Sequence, residues 1–310
     1  MAKIDLSNIS HTYNPEDANP TYALNPFSMT WENGNRYAIL GPSGCGKTTM
    51  LNIVSGLVRP SGGKILFDNQ DVTNLKTESR NIAQVFQFPV IYNTMTVYDN
   101  LAFPLKCREF AKEKIEERVQ SVSQTLNLSS FLNMPARKLT ADQKQLISLG
   151  RGLVREDVAA VLMDEPLTVI DPDLKFKLRR SLKEINEQYK TTLVYVTHDQ
   201  NEAMTFADNI IVMDQGEIVQ VGLPKDLFER PKTTFVGYFI GSPAMNLFNS
   251  EVVSNNSIKF SNLEINTKTD LSKIKNKKVK LGIRSEFIKI ANDQKENVID
   301  VKVSRVEDFG

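Results

Sequence analysis

Cysteine and histidine are scarce in this chain, with two of each in 310 residues. Cys45 and Cys107 lie far apart in sequence, so no disulfide framework is expected and a reducing cytoplasm is the default compartment. Charge of either sign is hardly in excess. A formal net charge of +1 gives no general reason to expect nucleic acid as a partner. Long apolar runs are missing too: none approaches the roughly 18 residues of a membrane-spanning helix. Residues 1–6 lack the apolar core of a signal peptide, so no leader is expected. What remains is ordinary for a globular protein, 41% hydrophobic and 24% charged, in a length that suits two domains.

Against that plain background one stretch stands out: Gly41-Pro42-Ser43-Gly44-Cys45-Gly46-Lys47-Thr48, followed by Thr49. It fits the pattern of Gly, four residues, then Gly-Lys-Ser/Thr. The apolar run 37–40 before it reads as a buried strand, and residues 49–54 after it carry helical spacing. A glycine turn between strand and helix aims backbone N–H groups into one concavity at a positive helix end, which makes a phosphate site. In such a site Lys47 reaches the β- and γ-phosphates of a nucleoside triphosphate, and the Thr48 hydroxyl ligates Mg²⁺.

Strand-like and helix-like segments then alternate. Residues 3–10 and 35–40 read as strands separated by a polar excursion at 14–25. Further strands are expected at 64–67, 82–86, 158–163 and 192–196, and a hairpin at 209–220. Helices are expected at 111–132, 139–156 and 171–190. The pattern indicates an α/β fold with a doubly wound, largely parallel sheet and its ligand at the carboxyl ends of the strands. Beyond residue 237 short strand-like runs dominate, among them 251–253, 258–260, 263–265, 278–283, 287–290 and 298–303, which suggests a small β barrel. The reading is thus two domains, 1–236 and 237–310. The Lys-rich stretch 268–280 reads as a solvated connector.

Three strand ends carry reactive groups. The strand at 158–163 stops at Asp164-Glu165-Pro166; Asp164 suits Mg²⁺ opposite Thr48, and Glu165 suits the activation of a water for attack on the γ-phosphate. His198 closes another strand, where an imidazole lies at the same sheet rim and can sense that phosphate. Tyr13, at the end of the first strand, either closes a sheet edge or stacks on the nucleotide base. Residues 88–103 are unusually apolar for a connector (Phe88, Ile91, Tyr92, Met95, Val97, Tyr98), the composition of a protein-docking patch.

The order Tyr13, phosphate loop, Gln87, a signature region from Leu139, Asp164-Glu165, Asp171 and His198 resembles the nucleotide-binding subunit of ABC transporters. The resemblance covers residues 1–240. Phe239-Ile240-Gly241-Ser242-Pro243-Ala244-Met245-Asn246 looks like the carbohydrate-importer branch. Leu281-Gly282-Ile283-Arg284-Ser285-Glu286 is similar to that branch's OB-like regulatory domain, and the glycerol and glycerol-3-phosphate importers look nearest. The resemblance implies an ATPase using ATP and Mg²⁺ at the cytoplasmic face of the membrane. It also implies two permease subunits docked on 88–103 and an extracytoplasmic solute-binding protein. Catalysis would rest on Glu165, His198 and Lys47, and Mg²⁺ on Thr48, Gln87 and Asp164. The rival readings are a soluble ABC ATPase acting on ribosomes or DNA, and a simple kinase.

The signature departs from its family. Where Leu-Ser-Gly-Gly-Gln is usual, the chain has Leu139-Thr140-Ala141-Asp142-Gln143. In the family this segment meets the γ-phosphate bound by the opposite subunit. At about 5 Å and an effective dielectric of about 20, each like-charge pair with Asp142 costs roughly 3 kcal/mol. The chain's own ATP set is complete, so a second, non-identical ATP-binding subunit is expected as partner. The family's barrel would continue past residues 303–310, so the C-terminal domain is expected to be short or incomplete.

Overall fold

The computed structural model describes residues 2–17, 19–261, 263–290, 297–299 and 301–306. In chain order the elements are β1 (Ile4–Thr12), β2 (Tyr22–Trp31), β3 (Arg36–Leu40), α1 (Lys47–Ser55), β4 (Gly62–Phe67), β5 (Gln70–Asp71) and β6 (Ile82–Val85). Next come α2 (Val97–Lys106), α3 (Lys112–Thr125), α4 (Ala141–Leu153), β7 (Ala160–Asp164), α5 (Pro172–Tyr189), β8 (Leu193–Thr197), α6 (Gln200–Phe206), β9 (Asn209–Asp214) and β10 (Glu217–Gly222). Then follow α7 (Pro224–Glu229), α8 (Thr234–Phe239), β11 (Asn246–Ser254), β12 (Ser257–Phe260), β13 (Leu263–Asn266) and β14 (Lys278–Ile283). The chain divides into two compact units, Met1–Asp226 and Leu227–Gly310.

In the first unit a six-stranded sheet runs in the order β10-β9-β3-β8-β7-β6, with β10 the antiparallel member. Its central strands read as continuous apolar runs because both faces are covered. Alternation along β7 divides them: Val161 and Met163 join the core made with α2 to α5, while Ala160 and Leu162 join the one made with α1 and the N-terminal strands. The register sets Leu40 beside Thr197, and Val196 beside Asp164. The carboxyl ends of β3, β8 and β7 therefore form one rim. A second sheet, β2-β1-β4-β5, is antiparallel and packs over α1.

Two local expectations need correction in this unit. The 14–25 excursion is shorter than read, since β2 starts at Tyr22 and pairs with β1; Pro26 masked it, and a proline is tolerated there because β2 is an edge strand. The helix expected at 111–132 ends at Thr125, where Asn127 turns to φ 54°, although Leu126 and Leu128 stay buried. Residues 88–96 form a loop, as the connector reading expects, and the rest of that stretch continues into α2.

At the root of β3 the Arg36 guanidinium donates to Asp208 Oδ1 at 2.6 Å, and its backbone N–H donates to Oδ2 at 2.9 Å. Burial alone raises the Asp208 carboxyl, but the Arg36 hydrogen bonds outweigh it and hold the group below its ordinary value. A depressed carboxyl contributes stability above its unfolded pKa and loses it as pH falls through the folded one. Asp208→Asn is therefore expected to lower Tm modestly at pH 7, the pair being partly exposed. The deficit relative to wild type should shrink as pH falls below the usual carboxylate range, as thermal melts across pH would read.

The second unit holds a four-stranded antiparallel sheet, β13-β12-β11-β14. Phe248 and Phe260 pack on one face with ring centroids 5.0 Å apart and planes tilted by 38°. The buried Arg284 guanidinium lies 3.9 Å from the Phe228 ring centroid and donates to the Phe228 and Ile240 carbonyls. Two runs read as strands are not strands: of 287–290, Phe287 ends a 3₁₀ turn begun at Ser285 and 288–290 lie outside any strand, as do the described residues of 298–303. Their apolar side chains, Phe287, Ile290 and Val301 among them, are exposed, so the apolar composition that suggested strands reflects no burial.

Candidate functional site

The turn from β3 into α1 is built by residues that free the backbone. Gly46 caps α1 at φ 100°, where an added Cβ would lie 2.4 Å from the Ala23 carbonyl oxygen. Gly44 sits at φ 79° facing open space. Neither conformation suits a side chain. No side chain caps α1 and its first turn holds no acid, so its leading N–H groups stay available to an anion. Lys47 Nζ donates to the Gly41 and Pro42 carbonyls at 2.8 and 2.7 Å, which poises the ammonium beneath the loop. Cys45 points inward and packs in the core, and burial pushes its thiol up.

Asp164, at the rim end of β7, is 8% exposed. Burial raises its carboxyl, opposed by a hydrogen bond from the Thr48 hydroxyl and by the Lys47 charge, while neighbouring Glu165 adds to the rise. Glu165 occupies the left-handed region at φ 43°, which a non-glycine residue adopts at a cost of about 1 kcal/mol or more. That backbone turn aims its carboxylate back toward the loop. Gln87 Nε2 donates to Oε2 at 3.3 Å, Thr168 Oγ1 donates to the same oxygen at 3.3 Å, and His198 Nδ1 lies 3.2 Å from Oε1. Tyr13 is 59% exposed; its hydroxyl is 3.1 Å from Thr49 Oγ1, and its ring meets His11 edge-on at 4.5 Å.

These groups line one cavity of about 620 Å³. Ser43, Gly44, Gly46, Lys47, Thr48 and Thr49 form its floor, Tyr13 one end, and Gln87, Glu165 and His198 the other. Asp164 lies below through Thr48. A depression of about 680 Å³ in the second unit is lined by Lys259, Lys278, Lys280 and Glu251; it lacks any such convergence of loop, acid and imidazole.

Thr140, Ala141, Asp142 and Gln143 do not reach the cavity. They form the start of α4, closed by a capping box: Gln143 N–H donates to the Thr140 hydroxyl, and Thr140 N–H donates to Gln143 Oε1 at 3.1 Å. The Thr140 hydroxyl also donates to the Asp142 carboxylate.

Two contributors escaped the sequence reading. Thr168 grips Glu165 from the tight turn that follows it. Gln145, 1% exposed on α4, donates from Nε2 to the Phe86 and Pro166 carbonyls at 3.1 and 3.0 Å. It thereby ties the residue before Gln87 to the residue after Glu165. Only the proximity of Gln145 to the signature hinted at it.

A parallel sheet whose rim presents a glycine phosphate loop, a buried Asp, a clasped Glu and a strand-end His defines a nucleoside triphosphatase of the phosphate-loop class. Comparison with known proteins narrows the class. Residues 24–168 match the ABC transporter family and residues 241–288 the MalK OB fold domain. The sn-glycerol-3-phosphate import ATP-binding protein UgpC of Pectobacterium atrosepticum is 38% identical over 100% of this chain and 86% of its own length. The uncharacterized ABC transporter ATP-binding protein YcjV of Escherichia coli O157:H7 is 38% identical over 99% and 85%. Among solved structures, the dimeric ATP-binding cassette MJ0796 bound to ADP and Pi aligns with a TM-score of 0.64 at 28% identity, over 71% of this chain and 98% of that one. CbiO1 of Clostridium perfringens aligns with a TM-score of 0.65 at 26% identity, over 73% and 90%. The chain belongs to the ATP-binding proteins of ABC transporters, and is an ATPase with an OB-type domain after the catalytic one.

Proposed function

We propose that this chain is the ATP-hydrolysing subunit of an importer, coupling ATP binding and hydrolysis to uptake of a small polyol, glycerol phosphate or sugar. The observation that carries it is the clasp on Glu165: a carboxylate held by Gln87, Thr168 and His198 at the mouth of a phosphate-loop cavity. The import names of its relatives and the MalK-type domain support the solute class.

In this reading Tyr13 stacks on the adenine base and the loop 41–49 cradles the phosphates. Lys47 exchanges two loop carbonyls for phosphate oxygens. The donor set suits Mg²⁺: the Asp164 carboxylate, its Thr48 hydroxyl partner and the Gln87 amide oxygen would offer hard oxygens. Among the described residues no cluster of three His, Cys, Asp or Glu side chains that could hold a metal is present; Thr48, Gln87 and Asp164 would hold the ion together with the nucleotide. When bound, Mg²⁺ supplies Lewis-acid charge neutralisation at the phosphates. Glu165 accepts the proton of the attacking water. His198 holds that carboxylate and reads the terminal phosphate from the opposite side.

Among the described residues no helix is long and apolar enough to cross a membrane, so the subunit works peripherally, docked on two permease subunits through residues 88–103. Phe88 and Val90 are 70% and 53% exposed there. The patch is tied to α4: Val90 N–H donates to Ser148 Oγ at 3.2 Å, and the Arg151 guanidinium lies 4.6 Å from the Tyr92 ring centroid. Motion of a docked helix would thus bear on the C-terminal half of α4, the helix whose start carries the signature. Residues 1–236 form the catalytic domain and 237–310 the regulatory one, with a non-identical ATP-binding subunit as partner and an extracytoplasmic binding protein upstream.

The test is reconstitution with the permease and binding protein in vesicles. ATP hydrolysis stimulated several-fold by binding protein plus solute is expected. Hydrolysis indifferent to them, or absence of membrane association, would sink the reading.

A further inference from the structure

The carboxylate of Glu202 is 5% exposed and lies outside the nucleotide cavity. Its two oxygens face different elements. Oε2 accepts from the Tyr195 hydroxyl at 2.9 Å and from the Thr197 hydroxyl at 2.8 Å, both on β8. Oε1 lies 3.6 Å from Lys175 Nζ and 3.8 Å from an Arg179 nitrogen, both on α5. A buried carboxylate is retained at low cost only when it is hydrogen-bonded and its charge is met; here Oε2 takes two hydrogen bonds and Oε1 faces two cations. Burial, with the Glu202 charge beside it, pushes the Tyr195 hydroxyl well above its ordinary value, so that hydroxyl remains a donor.

The turn after β8 gives this arrangement a catalytic meaning. Thr197 Oγ1 accepts from Asp199 N–H at 3.0 Å, and Asp199 Oδ1 in turn accepts from Asn201 and Glu202 N–H groups at 2.7 and 3.3 Å. His198 sits inside this closed ring of bonds, with Nδ1 3.2 Å from Glu165. On the other side, α5 starts at the Asp171 cap, directly after the turn in which Thr168 holds Glu165. One side chain therefore joins the segment carrying His198 to the helix that follows Glu165.

We propose that Glu202 is a positioning residue for hydrolysis: it fixes the His198 imidazole against Glu165 by tying the end of β8 to α5. Loss of this tie lets the two segments drift, and a misplacement on the order of 1 Å costs up to about 10²-fold in rate. The inference rests on the hydrolytic reading above.

Two variants test it in the assembled transporter. Glu202→Gln keeps the size and one acceptor but loses the charge facing Lys175 and Arg179. Thr197→Val keeps the shape and loses only the bridging hydroxyl, which secures the test if the first variant folds poorly. Each is expected to lower kcat by about tenfold with the KM for ATP unchanged, and Thr197→Ser is expected to restore the rate. With only two histidines in the chain, ring-proton NMR of the full chain should show the His198 signal moving and that of His11 staying. A kcat within about twofold of wild type, a rise in KM instead, or equal movement of both histidine signals would overturn it. Wild-type protein without hydrolysis would sink the hydrolytic reading, whereas an active wild type indifferent to both variants sinks this inference alone.

Discussion

Replacing Glu165 with Gln is expected to lower kcat for ATP hydrolysis by about 10²- to 10³-fold, within the span of a positioned general base. ATP binding should be retained. Three neighbours hold the carboxylate by its oxygens, and Gln keeps one oxygen and nearly the same volume, so the cavity's shape persists. What is lost is the ability to take the proton of the attacking water. The backbone supports this assignment: Glu165 keeps a φ of 43°, a strained conformation that a non-glycine residue holds only where its surroundings enforce it. Lys47→Ala, by contrast, should weaken nucleotide binding itself, since its ammonium is the positive charge beneath the loop. Equilibrium binding of a fluorescent ATP analogue, read beside steady-state hydrolysis, separates the two. An unchanged kcat in the Gln variant would remove Glu165 from the chemistry.

Legibility in the sequence followed the range of each interaction. The phosphate loop was readable because its pattern is local: the glycines, Lys47 and Thr48 lie within one turn of chain, between β3 and α1 as expected. Asp164 and His198 were readable as the ends of apolar runs, and the shared rim followed from a parallel sheet. The clasp on Glu165 was only partly visible. Thr168 acts within one tight turn, yet Gln145 works by donating to backbone carbonyls 59 and 21 residues away, and a carbonyl carries no sequence signature. Glu202 is similar, since its partners Lys175 and Arg179 meet it only through the packing of α5 on α6. The edge strand β2 was lost to Pro26 because a pattern reading cannot know which strand lies at an edge. In the second unit apolar composition was taken for strand at 287–290 and 298–303, where exposure shows it was not a burial signal.

A chain carrying Asp142→Gly is expected to hydrolyse ATP as a homodimer far faster than wild type, by about 10²-fold if the roughly 3 kcal/mol of like-charge repulsion appears in the rate. The structure gives Asp142 a local reason to be there. It accepts from the Thr140 hydroxyl and puts negative charge in the first turn of α4, a placement worth about 0.3–1 kcal/mol to the helix. The same placement spends the positive end of α4 on its own side chain, so little potential is left for a phosphate offered by a second subunit. The substitution should therefore lower Tm slightly while raising activity, a pairing that a general improvement in folding would not produce. Adding Ala141→Gly should raise the rate further by letting backbone N–H groups approach. Mixing the wild-type chain with a subunit bearing the glycine signature should yield one active site per dimer, formed by this chain's Lys47, Glu165 and His198 and the partner's helix start. In that mixture Glu165→Gln on this chain abolishes turnover, whereas the equivalent change on the partner leaves it nearly intact. A wild-type homodimer already as active as the Gly variant would mean that Asp142 turns away from the phosphate, and the non-identical partner would no longer be required.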